Sequence, residues 1–404
     1  MLILKRKFFS ALWRSKKFVV AGYCTVIESI VEILTRRYWL LDYLPTFLKQ
    51  KKGTLLVRLD QIGDFVLWLD AAQAYRSLYP GHHLTLAVNS ACAELARTLP
   101  HWDQVIEINI HSLRNDYNYR LSTLIKLRWA NFATVIQPTF SREFIGDLVV
   151  RSTNATNRIG YAGDSNNISS TLKHTTDYWY TKLISNDLHQ AMELGINAHF
   201  VRELGCRDFM SNVPVISKTT TLTSTHQFTM PYIVVAPGAS WLPKTWPVYH
   251  FAALIKKLIA QFDIQIVFCG AHHEQQISAE IIRLVGQPLK VKDISGLTTL
   301  IELIEVIRNA KLLITNDSSP VHIAAATATP SICIVGGGHF GRFLPYVSEQ
   351  SHPGPVPIIK SYEMACFGCR WQCIHNVPTD QAVPCIANVS VQSVYSSCYE
   401  QLIK

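Results

Sequence analysis

From residue 54 onward the chain alternates short apolar runs with longer amphipathic stretches, the pattern that βαβ units and parallel sheets require. The spacing predicts strands at 54–59, 84–88, 105–108 and 133–137, with helices at 65–79, 91–99 and 119–129 between them. Residues 151–187 are polar and irregular, and 188–204 reads as a helix ended by Gly205. A Thr/Ser-rich stretch at 217–230, closed by Pro231, has no apolar periodicity and reads as a linker. The alternation then resumes, with strands expected at 232–236, 265–269, 312–315 and 331–335 and helices at 248–261, 274–285 and 300–309. A chain of 404 residues that is 48% hydrophobic and 17% charged can bury two full cores, which excludes a wholly disordered chain and a disulfide-dependent miniprotein. The expected class is α/β: Rossmann-like domains over 53–216 and 231–362 that face each other across a cleft, although no internal sequence repeat is detectable. Open parallel sheets bind ligands beyond the carboxyl ends of their strands, so the loops there are where a site is expected.

The net charge of +9 is unevenly distributed. Residues 1–52 hold eleven Lys and Arg against Glu28, Glu32 and Asp42, which leaves the rest of the chain almost neutral. No basic motif interleaved with aromatics is present, so a nucleic-acid partner is not expected. Residues 18–35 approach the length of a membrane span, but Glu28 and Glu32 interrupt them one helical turn apart. A signal peptide fits in outline, yet Arg36 and Arg37 follow where a small-residue cleavage site belongs. The reading preferred here is an amphipathic arm lying on an anionic membrane surface; a solvated or domain-packing N-terminal helix is the alternative.

Three stretches carry chemistry. Arg58-Leu59-Asp60-Gln61-Ile62-Gly63-Asp64 closes a strand and opens a helix; Gly63 relieves crowding at that turn. Asp64 lies where the helix dipole keeps a carboxylate ionised, able to accept a proton from an attacking hydroxyl or simply to cap the helix. The spacing is not that of a dinucleotide fingerprint. Next, Pro237-Gly238-Ala239-Ser240 with Lys244 follows the first strand of the second domain, where small residues let the backbone approach a phosphate and Lys244 adds a cation; a surface turn with an unrelated Lys is the other reading. Last, Asn316-Asp317-Ser318-Ser319-Pro320-Val321-His322 leads into an alanine-rich helix. Ser318, Ser319 and the free amides of the helix start form an anion site, and His322 is either a partner of that site or a packed residue.

These pieces in this order, with Phe268-Cys269-Gly270-Ala271 between them, resemble glycosyltransferase family 9, the ADP-heptose:lipopolysaccharide heptosyltransferases, over about residues 53–395. The resemblance implies a GT-B fold, with acceptor contacts on the first domain near Arg58, Asp60 and Gly63 and a nucleotide-sugar on the second. It implies Asp64 as general base of an inverting transfer. Gly238, Ala239, Ser240 and Lys244 match the diphosphate-binding stretch, and Asp317, Ser318, Ser319 and His322 match the loop that contacts nucleotide and phosphates. Two positions depart from the family pattern: Ser319 stands in place of Gly, and His272 stands near where relatives place an acidic residue for the ribose. The implied donor is ADP-heptose and the implied acceptor a lipid-linked core oligosaccharide at the cytoplasmic face of an inner membrane. With no Asp-x-Asp motif in a suitable loop, no cofactor is expected for catalysis, and Lys244 with the helix amides would steady the departing diphosphate. The same fold acting on another nucleotide-sugar or a protein acceptor, and a catalytically silent scaffold, are the competing readings.

Five of the ten cysteines fall in the last 40 residues, and 363–404 is expected as a Cys-rich tail beyond the second domain. Cys366, Cys369, Cys373 and Cys385 have a spacing that a structural zinc or iron ion could use, while Cys398 looks extra. Reduced packed thiols and disulfides are the alternatives.

Overall fold

The computed structural model describes residues 51–185, 192–218, 228–286, 288–352 and 354–404. The basic arm therefore lies outside the described residues but for its last two positions, as do most of the linker and the start of the helix expected from 188. No helix among the described residues is long and apolar enough to cross a membrane.

Two six-stranded parallel sheets form the frame. The first contains β1 (Thr54–Arg58), β2 (Leu84–Asn89), β3 (Gln104–Ile108), β4 (Thr134–Gln137), β5 (Asn157–Tyr161) and β6 (Lys182–Ile184), in the order β3-β2-β1-β4-β5-β6. The second contains β7 (Tyr232–Ala236), β8 (Gln265–Phe268), β9 (Val291–Asp293), β10 (Leu312–Asn316), β11 (Ser331–Ile334) and β12 (Ile358–Lys360), and β9-β8-β7-β10-β11-β12 repeats the same order. Each sheet thus reverses direction once, beside β1 and beside β7, and a crevice opens at each reversal. Both faces of the central strands are buried. Leu55 and Val57 point into one cluster and Leu56 into another, and β7 divides Ile233 and Val235 from Val234 in the same way.

The helices that matter for the site are α1 (Ile62–Leu78), α2 (Ser90–Arg97), α7 (Glu193–Glu203), α8 (Val248–Gln261), α10 (Leu300–Arg308), α11 (Ser319–Ala326) and α13 (Val391–Leu402), numbered along a chain whose other helices are α3 (Ile110–Asn115), α4 (Tyr117–Trp129), α5 (Phe144–Ser152), α6 (Ser170–Asp177), α9 (Gln275–Val285) and α12 (Pro384–Ala387). The strands and helices expected from the alternation are present within a few residues of their predicted ends. The additional strands β5, β6, β9 and β12 are short, mostly outer strands, with too few apolar residues to show a period. The polar stretch 151–187 holds two of them and α6.

The two domains share a core. One buried cluster runs from Phe65, Trp68 and Leu86 in the first domain to Val234, Leu313 and Ile323 in the second. Residues 363–404 are part of the second domain and not a separate tail, because Val383, Ile386, Val394 and Cys398 complete its core beside Leu254 and Leu258 of α8. The Trp246 indole N–H donates to the Val389 carbonyl at 3.0 Å across that seam.

Candidate active site

β1 delivers its last residue, Arg58, into the protein interior. The guanidinium is 1% exposed, lies 3.0 Å from an Asp60 carboxylate oxygen, and donates to the Asp64 carbonyl at 3.0 Å. It lies beneath the acidic pair and holds it in place, which differs from the acceptor contact expected of it. Asn89 at the end of β2 donates to the Asp60 carbonyl at 3.1 Å and fixes the other side of the loop. Asp64 occupies the first turn of α1, and no side chain caps that helix. Among the described residues its carboxylate has no hydrogen-bond partner, so it is open to the cleft and is not serving as a cap.

Gly63 has a different role from the one its sequence position suggests. A Cβ there would stand 3.0 Å from His322 Cδ2 and 3.5 Å from Ser319 Cα, so the missing side chain is what lets α1 of one domain meet α11 of the other. His322 is buried in this contact, with Nδ1 2.7 Å from the Tyr346 hydroxyl, and burial pushes its pKa down to about 3. It also lines the cleft described below, where a neutral imidazole offers a hydrogen bond and not a charge.

On the facing domain, Asn316 joins two loops: its amide donates to the Pro237 carbonyl at 2.6 Å and its oxygen accepts from Trp246 N–H at 3.0 Å. That brings the loop after β7 against the loop after β10. Ala239, Ser240, Lys244, Asp317, Ser318 and Ser319 accordingly line one cleft with Asp64, of about 560 Å³. Burial holds the Lys244 ammonium below its usual range while Asp317 and Asp64 act to raise it. Asp317 is pushed up by burial and drawn down by Lys244.

His272 does not line this cleft. It is exposed and its backbone packs over Gly296, because the short turn His272–Glu274 directs the next two side chains inward instead. Glu274 is an acidic residue lining the cleft close to where His272 was expected. Its carboxylate accepts from Ala271 N–H at 2.6 Å and covers Gly238 and Gly270, so Gly238, which also lines the cleft, leaves room for that carboxylate. An acid three residues beyond the Phe268-Cys269-Gly270-Ala271 turn was the available signal.

A second cavity of about 400 Å³ opens on the other side of Asp64, bordered by Asp60, Thr139, Asn167 and Glu193 of the first domain. Asp64, His339 and Phe343 line both spaces. Burial, with the Asp60 and Glu193 carboxylates nearby, pushes Asp64 up to about 7 against Arg58 and Arg342. Asp60 is raised to about 6, chiefly by burial and in spite of Arg58. Arg342 crosses between domains, donating to Glu193 at 3.1 and 3.2 Å and lying 3.6 Å from Asp164. It was absent from the motifs, since it sits in a loop with no local pattern.

Gly336, Gly337 and Gly338 follow β11 and receive the Cys-rich segment: added Cβ atoms would strike Ile386, Phe367 and Trp371. Cys366, Cys369, Cys373 and Cys385 gather at one small cavity there, and each is a free thiol. Among the described residues no three His, Cys, Asp or Glu side chains come together in a group that could hold a metal ion, which is not the arrangement expected from the spacing. The Cys385 sulfur accepts from Gly337 N–H at 3.5 Å, which ties the segment to the glycine turn.

A parallel-sheet pair with crevices facing each other is shared by many enzymes, and comparison narrows it. The model of "Glycosyltransferase family 9 (heptosyltransferase)" matches residues 127–366, more than half of the chain. The chain belongs to glycosyltransferase family 9. Lipooligosaccharide heptosyltransferase 2 of Haemophilus influenzae is 35% identical to this family 9 chain over 109 residues, 26% of the chain and 31% of that protein. In that match the chain spans about a third of the relative's length. The enzyme of the same name from Haemophilus ducreyi is 24% identical over 313 residues, 74% of this chain and 86% of its own. The solved structure of E. coli ADP-heptose lps heptosyltransferase II superimposes with a TM-score of 0.64 at 18% identity, over 87% of this chain and 98% of that one, a likeness of the GT-B fold.

Proposed function

We propose that the protein is an inverting glycosyltransferase that moves a heptose from ADP-heptose to a lipopolysaccharide core acceptor, with Asp64 as general base. The observation that carries this reading is the position of Asp64, an unpartnered carboxylate at the boundary between two cavities, facing Lys244 and the start of α11 across one of them. The donor would occupy the larger cleft. Its diphosphate would lie by Ser240, Lys244 and the amides at Ser318 and Ser319, and Glu274 would accept hydrogen bonds from ribose hydroxyls. The acceptor would enter the smaller cavity. Asp64 takes the proton of its attacking hydroxyl, the new bond forms at the sugar carbon, and the bond to the diphosphate breaks on the opposite face. Negative charge growing on the diphosphate is met by a cation and preset dipoles. A base with a pKa of about 7 has the driving force to accept a proton near neutral pH and still be ionised half the time. The basic arm at residues 1–52 supports a membrane-associated acceptor, so a peripheral position at the inner face of an inner membrane belongs to this reading.

Incubation with ADP-heptose and truncated lipopolysaccharide acceptors, read by product mass, tests the reaction: a product heavier by one heptose is expected. No transfer to any acceptor by a protein that binds ADP would overturn the assigned substrates. Thermal shifts across nucleotide-sugars test the donor separately, because a ligand at 100 times its Kd stabilises by about 2.7 kcal/mol.

A further inference from the structure

We propose that the Arg370–Trp371 turn of the Cys-rich segment reads the acceptor: Arg370 binds an anionic substituent, phosphate or carboxylate, on the acceptor saccharide, and Trp371 forms the wall beside it. The inference deepens the proposed transferase reading and rests on it for the identity of the smaller cavity.

The first ground is charge. Asp60, Asp64 and Glu193 make that cavity acidic at its base, and the two arginines nearest them are already committed. Arg58 is paired with Asp60, and Arg342 with Glu193 and Asp164. Arg370 also lines the cavity, yet it is exposed and its guanidinium has no ion pair or hydrogen bond among the described residues. An acidic cavity does not attract an anion by itself, so the one uncommitted arginine on its wall sets where an anionic group would bind. A planar guanidinium suits the two oxygens of a phosphate or carboxylate.

The second ground is backbone conformation. Arg370 and Trp371 have φ of +51° and +62°, in the left-handed region that side chains other than glycine avoid. Such a turn persists only where its surroundings enforce it, and they do: Arg370 N–H donates to the Gly338 carbonyl at 2.9 Å and Gly368 N–H to the Gly337 carbonyl at 2.7 Å, while the Trp371 indole lies against Gly338. The four thiols sit directly behind this turn. Their role in this reading is to pack the segment against the glycines so that the Arg370 side chain faces the cavity.

The third ground connects the two substrates. Lys244 Nζ lies 4.4 Å from the centre of the Trp371 ring, so the residue assigned to the diphosphate also touches the acceptor wall.

Core oligosaccharide freed of lipid provides the probe, in intact, phosphatase-treated and carboxyl-reduced forms, with binding measured by calorimetry on the full chain. Arg370→Ala is expected to weaken binding of the intact probe about tenfold to a hundredfold, the range of one charge-assisted contact. Arg370→Glu should weaken it further, and Arg370→Lys should recover part of the loss. Whichever treated probe has lost the recognised group should bind wild type and Arg370→Ala equally, which distinguishes phosphate from carboxylate. In transfer assays the change should fall on the acceptor KM far more than on kcat, with the ADP Kd unmoved. Equal binding of the intact probe by wild type and Arg370→Ala, or no binding of any probe to wild type, overturns the proposal. Failure of the transferase reading would appear differently, as acceptor binding that depends on Arg370 but no heptosylated product.

Discussion

At the scale of single residues, the electrostatics of the cleft make Asp64 both useful and costly. Its pKa of about 7 and that of Asp60 at about 6 exceed the unfolded carboxylate value, so the folded protein holds these protons more tightly than the unfolded chain does. Their contribution to stability is fully present below about pH 4 and is lost as pH rises through 6 to 7. Asp64→Asn should therefore melt above wild type at pH 8, with the difference gone by about pH 4, in a thermal scan against pH. The same substitution should reduce turnover about 10²- to 10⁴-fold while leaving ADP binding intact. In wild type, kcat/KM should rise with pH through about 7 as the base ionises. His322 acts in the other direction. Its pKa of about 3 means that stability is lost as pH falls from its unfolded value near 6.5, since only the unfolded chain is readily protonated.

At the scale of elements, the donor loops depend on contacts remote in sequence. Asn316 holds Pro237 and Trp246 through a fully buried side chain, and Asn316→Ala leaves a carbonyl and an N–H without partners. A loss of about 1–3 kcal/mol is expected in denaturant melts, with weaker ADP binding because the loop after β7 is no longer held against β10. The packing of α1 on α11 depends on Gly63, and Gly63→Val should separate these helices and lower kcat more than it lowers the melting temperature. Much of this was legible beforehand. The central strands β1, β7 and β10, and the loops that follow them, carry continuous apolar runs that end in small and polar residues, a local signal. The short strands β6 and β12 were not legible, because edge strands of three residues bury too little to impose a period. The position of His272 was misjudged for a similar reason: which side chains of a tight turn face a cleft depends on the turn's conformation, and here His273 and Glu274 do.

At the scale of the whole molecule, the second cavity exists because the domains are held together. Arg342 donates to the buried Glu193 and accepts Glu193 N–H at its own carbonyl at 2.7 Å, a two-point bridge between domains. Arg342→Ala should cost about 2–3 kcal/mol and widen the interdomain angle seen by solution scattering, with turnover falling as the cavity loses its wall. The apolar alternation by itself determined that the chain makes two parallel sheets, and the three strand-end motifs singled out loops that line one cleft, because both are written in neighbouring residues. Only the tertiary structure decided that Asp64 lies between two cavities with no hydrogen-bond partner among the described residues, that Glu274 and Arg342 line those cavities, and that Phe367, Trp371 and Ile386 of the Cys-rich segment pack against three glycines. Those outcomes come from residues far apart in the chain meeting at a few ångströms, and distances of that kind leave no trace in local spacing.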